Sequence, residues 1–234
     1  TSANDIYITS RAIQVGSYTY IKSDLKAILK RTDTTAEVIN TRTMTCVMVL
    51  IGEAIKIDGL KVFGVLRGTD IDGIILDRVN NSSLIDVEVN SCNKGLSSTA
   101  ANYMMRFDRI KASACQTRAF DFSNDSFKTS LTFSDCWAVN CGHTWFFNKT
   151  IYSTMTDCGS DWSGWGSDNA QYGTGTIIGD EASSLGIYHF QASTFTLNSV
   201  ATENCFGNGF INVNGGNSTL TINTPDGYNG LSSH

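Results

Sequence analysis

A short phrase returns six times along the middle of this chain: an apolar residue, two mostly polar ones, a second apolar residue, a variable one, then a small or apolar one. The copies are Ile57–Val62, Leu84–Val89, Phe107–Ala112, Phe133–Ala138, Met155–Ser160 and Leu197–Thr202. Their first positions lie 27, 23, 26, 22 and 42 residues apart, and since 42 is twice 21, one copy is expected to be degenerate. A second row keeps step: Gly73-Ile74, Gly95-Leu96, Ala119-Phe120, Gly164-Trp165, Gly186-Ile187 and Gly209-Phe210, with Trp145-Phe146 as the departure. Its apolar members are 22, 24, 26, 19, 22 and 23 residues apart. A period near 23 in two independent rows is the signature of a solenoid.

Within each phrase apolar and polar residues alternate, slip by one at the central polar pair, and alternate again, as two short strands joined by a bend would. Such strands are too short to stand alone, so stacking between coils must complete their hydrogen bonding. A leucine-rich repeat would need a Leu/Asn consensus and a helical segment per turn, and neither is present. Proline occurs once, at Pro225, beyond the last coil, as a body of continuous backbone ladders requires. The pattern predicts an all-β, single-stranded parallel β-helix with coils of about 22–23 residues.

Three segments are expected: 1–54 as an N-terminal cap leading into the first coil, 55–224 as the β-helix, and 225–234 as a C-terminal tail. Within the cap, Ser23–Lys30 reads as a short helix with Ser23 as N-cap, followed by an apolar strand over Thr45–Ile51. A net charge of −5 provides no basic footprint, so nucleic acid is not an expected partner. No apolar run approaches the roughly 18 residues of a membrane span, no membrane insertion is expected, and no secretory signal is seen. The chain starts at Thr1, as a fragment or a processed product would.

The cysteines follow the repeat. Cys136 and Cys158 hold the same motif position 22 residues apart, and Cys92, Cys115, Cys141 and Cys205 lie a few residues before apolar anchors. Stacked thiols are suitable fillers of a β-helix interior. Neighbouring coils would place Cys136 and Cys158 within disulfide range, but reduced thiols are expected from the odd count and the burial. Only Cys136/Cys141 approaches a zinc-like spacing, so neither a metal nor a cofactor is expected.

The stretches Ile55–Gly64 and Phe195–Phe210 resemble coils of the pectin-lyase-like superfamily, and more narrowly the β-helical bodies of bacteriophage tailspikes. The resemblance covers roughly residues 45 to 224, and its motifs are fold-level. It implies a right-handed helix, a parallel homotrimer in a virion tail that is assembled in the host cytoplasm and acts at the bacterial surface, and binding of bacterial surface polysaccharide (capsule, O-antigen or exopolysaccharide), often with hydrolase or lyase activity. It carries over no catalytic set.

Aligned phrases place residues in outward rows about 4.8 Å apart per coil. The bend row reads Gly59, Asp86, Arg109, Asp135, Asp157 and Ser199; the next reads Lys61, Glu88, Lys111, Trp137, Gly159 and Ala201. Asp135 and Asp157 are the sharpest pair. Stacked on neighbouring coils, their carboxyls would stand about 5 to 6 Å apart, near the separation in retaining glycosidases, each raising the other's pKa. Asp is also a common turn former, and pattern alone favours that structural reading.

Glu88 with Lys111, and Asp86 with Arg109, are expected as ladder ion pairs. Arg109 and Lys111 would alternatively hold an anionic sugar. Trp137 beside Asp135 is a candidate sugar platform. Glu88, Asp161 and Trp162 are further substrate-binding candidates, the last two standing among glycines near Trp165, expected in the core, and Asp168. The Gly-rich stretch Asn169–Ser184, with Tyr172, Asp180 and Glu181, reads as a protruding loop beside the groove or a simple insertion. His143 and His189 have no partner fixed by spacing, and neither is expected as a base.

Two functions from different classes fit. One is a polysaccharide depolymerase with Asp135 and Asp157 as acid and base, hydrolase preferred to lyase because acids dominate the rows. The other is a non-catalytic adhesin using the same face. A pectate-lyase-like monomer is disfavoured, because no Asp cluster for calcium with a following Arg is evident.

Overall fold

The central polar residue of each phrase takes a left-handed backbone conformation, with φ between 51° and 78° at Gly59, Asp86, Arg109, Asp135, Asp157 and Ser199. One such residue between two extended segments redirects the chain. The strand before it joins one sheet and the strand after it joins another. The turn is locked from coil to coil: the amide of Asp86 donates to the Asp108 carbonyl at 3.0 Å, Arg109 to Ser134 at 2.9 Å, Asp135 to Thr156 at 3.1 Å and Asp157 to Asn198 at 3.0 Å.

This computed structural model describes residues 5–25, 27–65, 70–164, 188–191, 193–203, 205, 210–213 and 219–223. Among them the chain is all strand. An eight-stranded narrow sheet and a sixteen-stranded broad sheet, both parallel throughout, wrap a single long core, and a two-stranded antiparallel hairpin stands outside. The fold is a parallel β-solenoid, as the period predicts. Ile57, Leu84, Phe107, Phe133, Met155 and Leu197 stand in direct register and are all buried.

Aromatic rings stack from coil to coil in the middle of the core. Phe107 lies on Phe133 at 4.6 Å, and Phe120 lies on Trp145 at 3.8 Å with the rings 3° from parallel. Each such pair contributes about 0.5 to 1.5 kcal/mol beyond its buried area. The indole N–H of Trp145 donates to Ser160 Oγ at 3.0 Å across the core, so the large ring is buried without a stranded donor. The cysteines are free thiols; Cys46, Cys92, Cys115, Cys136, Cys141 and Cys158 are buried and Cys205 is half-buried.

The ladders correct four expectations. The helix over Ser23–Lys30 is instead the strand Ala27–Arg31, which pairs in parallel with Asp5–Thr9 on one side and Lys61–Phe63 on the other. The spacing of Leu25, Ile28 and Leu29 suits a short helix, but ladder bonds on both edges outweigh so weak a local preference. Ile13–Val15 and Tyr20–Lys22 likewise pair with Cys46–Glu53 and Lys56–Asp58, so coil ladders begin ahead of the apolar strand.

Nor is any copy of the phrase missing. Met155 pairs directly with Leu197 and Gly159 directly with Ala201, so the 42-residue spacing is one coil carrying an insertion. A solenoid absorbs extra residues at a turn without interrupting its ladders. Trp165, Asp168, Tyr172, Asp180 and Glu181 fall in that insertion and lie outside the described residues. In the second row the anchor is Trp145, in register with Phe120 and Tyr188. Phe146 occupies the neighbouring outward position in register with Asp121, with the Arg118 guanidinium 4.4 Å over its ring.

The hairpin of Glu37–Ile39 and Arg42–Met44 covers the outer face of the broad sheet, where Ile39 and Met44 pack on Val49 and Ile75. Fully buried Arg31 ties its base down through the carbonyls of Asp33, Thr35 and Cys46 at 2.6 to 2.7 Å and the Glu37 carboxylate at 2.8 Å. The narrow sheet's outer face has no such cover from the hairpin.

Candidate functional site

From Lys61–Phe63 onward each strand of the narrow sheet is three residues long, so two side chains per strand point outward between the bends. In the central coils these strands are Lys111–Ser113, Trp137–Val139, Gly159–Asp161 and Ala201–Glu203, paired in that order. Ala112, Ala138 and Ser160 point inward and are buried. Lys111, Trp137, Gly159 and Ala201 form one outward row; Ser113, Val139, Asp161 and Glu203 form the next.

Trp137 stands in the middle of this face, half-buried, with its ring lying across the next coil at Gly159. A Cβ at Gly159 would come within 2.5 Å of Trp137 Cη2 and Cζ3. The glycine therefore supplies the space in which the indole lies flat. On one side of the ring a pocket of about 380 Å³ is lined by Arg109, Ile110, Lys111, Asp135, Val139 and Asp161. On the other, a pocket of about 400 Å³ is lined by Asp135, Asp157, Cys158, Ser199, Ala201 and Glu203. Trp137 and Asp135 belong to both, so the two pockets form one groove along the solenoid, four coils and roughly 14 Å long at the strand spacing of a sheet.

Most of the residues singled out from sequence meet here. Asp135 and Asp157 stand at consecutive bends, both exposed, on the groove's edge. Arg109, Lys111, Trp137 and Asp161 line the groove. Trp162 lies one residue beyond Asp161 at the far bend, 45% exposed with φ 47°, outside the lining. Glu88 is one coil away, and its ion pair is with Lys61 at 3.4 Å rather than with Lys111, although both lysines stand opposite it in the ladder.

Arg109 is engaged by protein carboxylates. Its Nε and Nη2 donate to Asp86 at 2.6 and 2.9 Å, and Nη1 to Asp108 at 2.8 Å. The hydrogen bonds from Arg109 hold the Asp86 carboxyl below the usual carboxylate range, and those to Asp86, with the charge of Asp108, push the guanidinium's pKa further up. Asp108 also accepts from Arg106 at 2.7 Å. The expected Asp86–Arg109 ladder pair is thus present and bidentate. Lys111, exposed, has no ion pair within 4 Å among the described residues.

Two groove residues escaped the sequence reading. Glu203 stands in register with Asp161, in the second outward row, which is readable by counting two positions on from the row that holds Trp137. Gly159 was visible beside Trp137 but not its role under the ring. Among the described residues no group of three or more His, Cys, Asp or Glu is placed to hold a metal ion.

No family model matches the sequence, and no curated protein does. Solved structures do match. The tailspike gp42 of Acinetobacter phage vb_AbaP_AS12 superposes with a TM-score of 0.64 at 19% identity, over 90% of this chain and 38% of that one. The fold is the tailspike-type β-helix. An alginate lyase from Paenibacillus sp. FPU-7 superposes with a TM-score of 0.59 at 13% identity, over 98% of this chain and 88% of that one. The chain spans well under half the length of the tailspike. At these identities the likeness concerns architecture alone.

Proposed function

We propose that this chain is part of a phage tailspike body that binds bacterial surface polysaccharide along the Trp137 groove and cleaves its glycosidic bonds. The observation carrying the reading is the groove itself: a flat aromatic ring in the floor, carboxylates on either side, and an open run of four coils. Sugar C–H faces pack on aromatic rings, and carboxylates accept hydrogen bonds from hydroxyls. In this reading one of Asp135 and Asp157 protonates the leaving oxygen, and the other attacks the anomeric carbon or activates water, according to their separation in the complex. Placement in a virion tail and assembly as a parallel homotrimer belong to the same proposal, and a neighbouring chain would then be able to border the groove.

A second reading has its own observation. Asp135 and Asp157 both occupy left-handed bends, where Asp is favoured for backbone reasons alone. A non-catalytic adhesin would need the ring and the groove but not the two acids.

Incubation with purified polysaccharide from susceptible bacteria decides between them. Shortening of the polymer, lost in Asp135→Asn or Asp157→Asn, is expected for the depolymerase; stable binding with no shortening leaves the adhesin. New reducing ends without the ultraviolet absorbance of an unsaturated uronate identify hydrolysis rather than elimination.

A further inference from the structure

Charge is distributed unevenly along the groove. Its lysine and arginine, Lys111 and Arg109, both belong to the coil at one end, and Arg109 is already held by Asp86 and Asp108. The following coils contribute Asp135, Asp157, Asp161 and Glu203 and no cation. Nothing later in the chain offsets these acids: beyond Lys149 there are seven acidic residues and no lysine or arginine, so the insertion between the coils of Met155 and Leu197 brings none either.

A polyanionic glycan bound along this axis would bring a carboxylate or phosphate toward the acids at nearly every coil, with Lys111, which has no ion pair among the described residues, as the cation to meet it. Each like-charge approach to about 4 Å weakens binding about fivefold even at the dielectric constant of water, and more in a partly dehydrated groove. An uncharged sugar meets the same side chains as hydrogen-bond acceptors for its hydroxyls and the ring as a platform.

Resting on the glycan-binding reading above, we propose that the groove takes a glycan segment free of carboxylate, phosphate and sulfate groups and discriminates against polyuronates. Elimination by a lyase requires a uronate carboxylate beside the carbon that loses its proton. A groove that repels uronates is therefore fitted to hydrolysis.

The test is titration of the whole chain with length-matched neutral and uronate-containing bacterial polysaccharides, at low and high salt, following tryptophan emission and calorimetric heat. A neutral glycan is expected to bind with an affinity insensitive to salt. The uronate glycan is expected to bind at least tenfold more weakly at low salt and to recover as salt screens the repulsion. Asp161→Asn combined with Glu203→Gln narrows the gap at low salt. A uronate glycan that binds as tightly as the neutral ones, with affinity falling as salt rises, overturns this inference and leaves glycan binding intact. Binding of neither class overturns the glycan-binding reading, and this inference with it.

Discussion

Gly159→Ala tests the platform without touching a polar group. The new Cβ would stand 2.5 Å from two carbons of the Trp137 ring and 2.8 Å from a third, and these are its three nearest atoms. The indole swings aside rather than the strand, because a side chain rotates more easily than a hydrogen-bonded ladder shifts. Alanine in a strand gains about 0.5 to 1 kcal/mol over glycine from the unfolded chain's lost freedom, offset by the displaced ring contact. Stability should therefore change by no more than about 1 kcal/mol. A displaced ring forfeits a stacking contribution of about 0.5 to 1.5 kcal/mol, which is roughly a two- to twelvefold weaker affinity. Thermal melts, tryptophan emission and glycan titration read the three quantities. In the double variant with Trp137→Ala, the glycine substitution should have no further effect on binding, since the two act through one ring. Unchanged emission and affinity in Gly159→Ala, or a loss of several kcal/mol in stability, would refute the reasoning.

Three other outcomes follow from the same geometry. Burial pushes the Cys46 and Cys92 thiols up to about 12, so iodoacetamide should leave the six buried cysteines unmodified in the native protein and alkylate all seven after denaturation. Asp72 is pushed up to about 6 chiefly by burial, against its neighbours Lys94 and Asn93. Its folded pKa lies above the unfolded value near 4, so its contribution is complete below about pH 4 and is lost as pH rises through 6. Urea unfolding should show a decline on the order of 2 to 3 kcal/mol across that window, absent in Asp72→Asn. Ser160→Ala strands the buried indole N–H of Trp145 and should cost about 1 to 3 kcal/mol in the same assay, whereas a change within error would contradict the 3.0 Å hydrogen bond.

The solenoid was legible because its rule is repeated and physical. A coil must bury the same positions as its neighbours, so Ile57, Leu84, Phe107, Phe133, Met155 and Leu197 announce their own register. The bend was legible for the same reason, as a slip in alternation that the left-handed residues explain. What failed was local. Ala27–Arg31 is too short for alternation to tell strand from helix, and only its two partners decide. Trp145-Phe146 presents two adjacent aromatics, and the choice of which faces inward depends on the slot between Phe120 and the acceptor on Ser160. The 42-residue spacing mimics two coils because an insertion leaves no mark on the ladders at either side. At the site, the row map brought Arg109, Lys111, Asp135, Trp137, Asp157 and Asp161 to one face. It missed Glu203 through attention to one outward row, and missed the service of Gly159 because an absent side chain has no pattern.

The central claim is that the outer face of the narrow sheet around Trp137 is a glycan groove. Its most direct test is titration of the chain and its Trp137→Ala variant with a panel of purified bacterial surface polysaccharides, following bound fraction and polymer length together. The account predicts that at least one polysaccharide binds and that the variant, still folded, binds it at least tenfold more weakly. Equal binding by the two proteins would place the glycan elsewhere on the solenoid and contradict the claim.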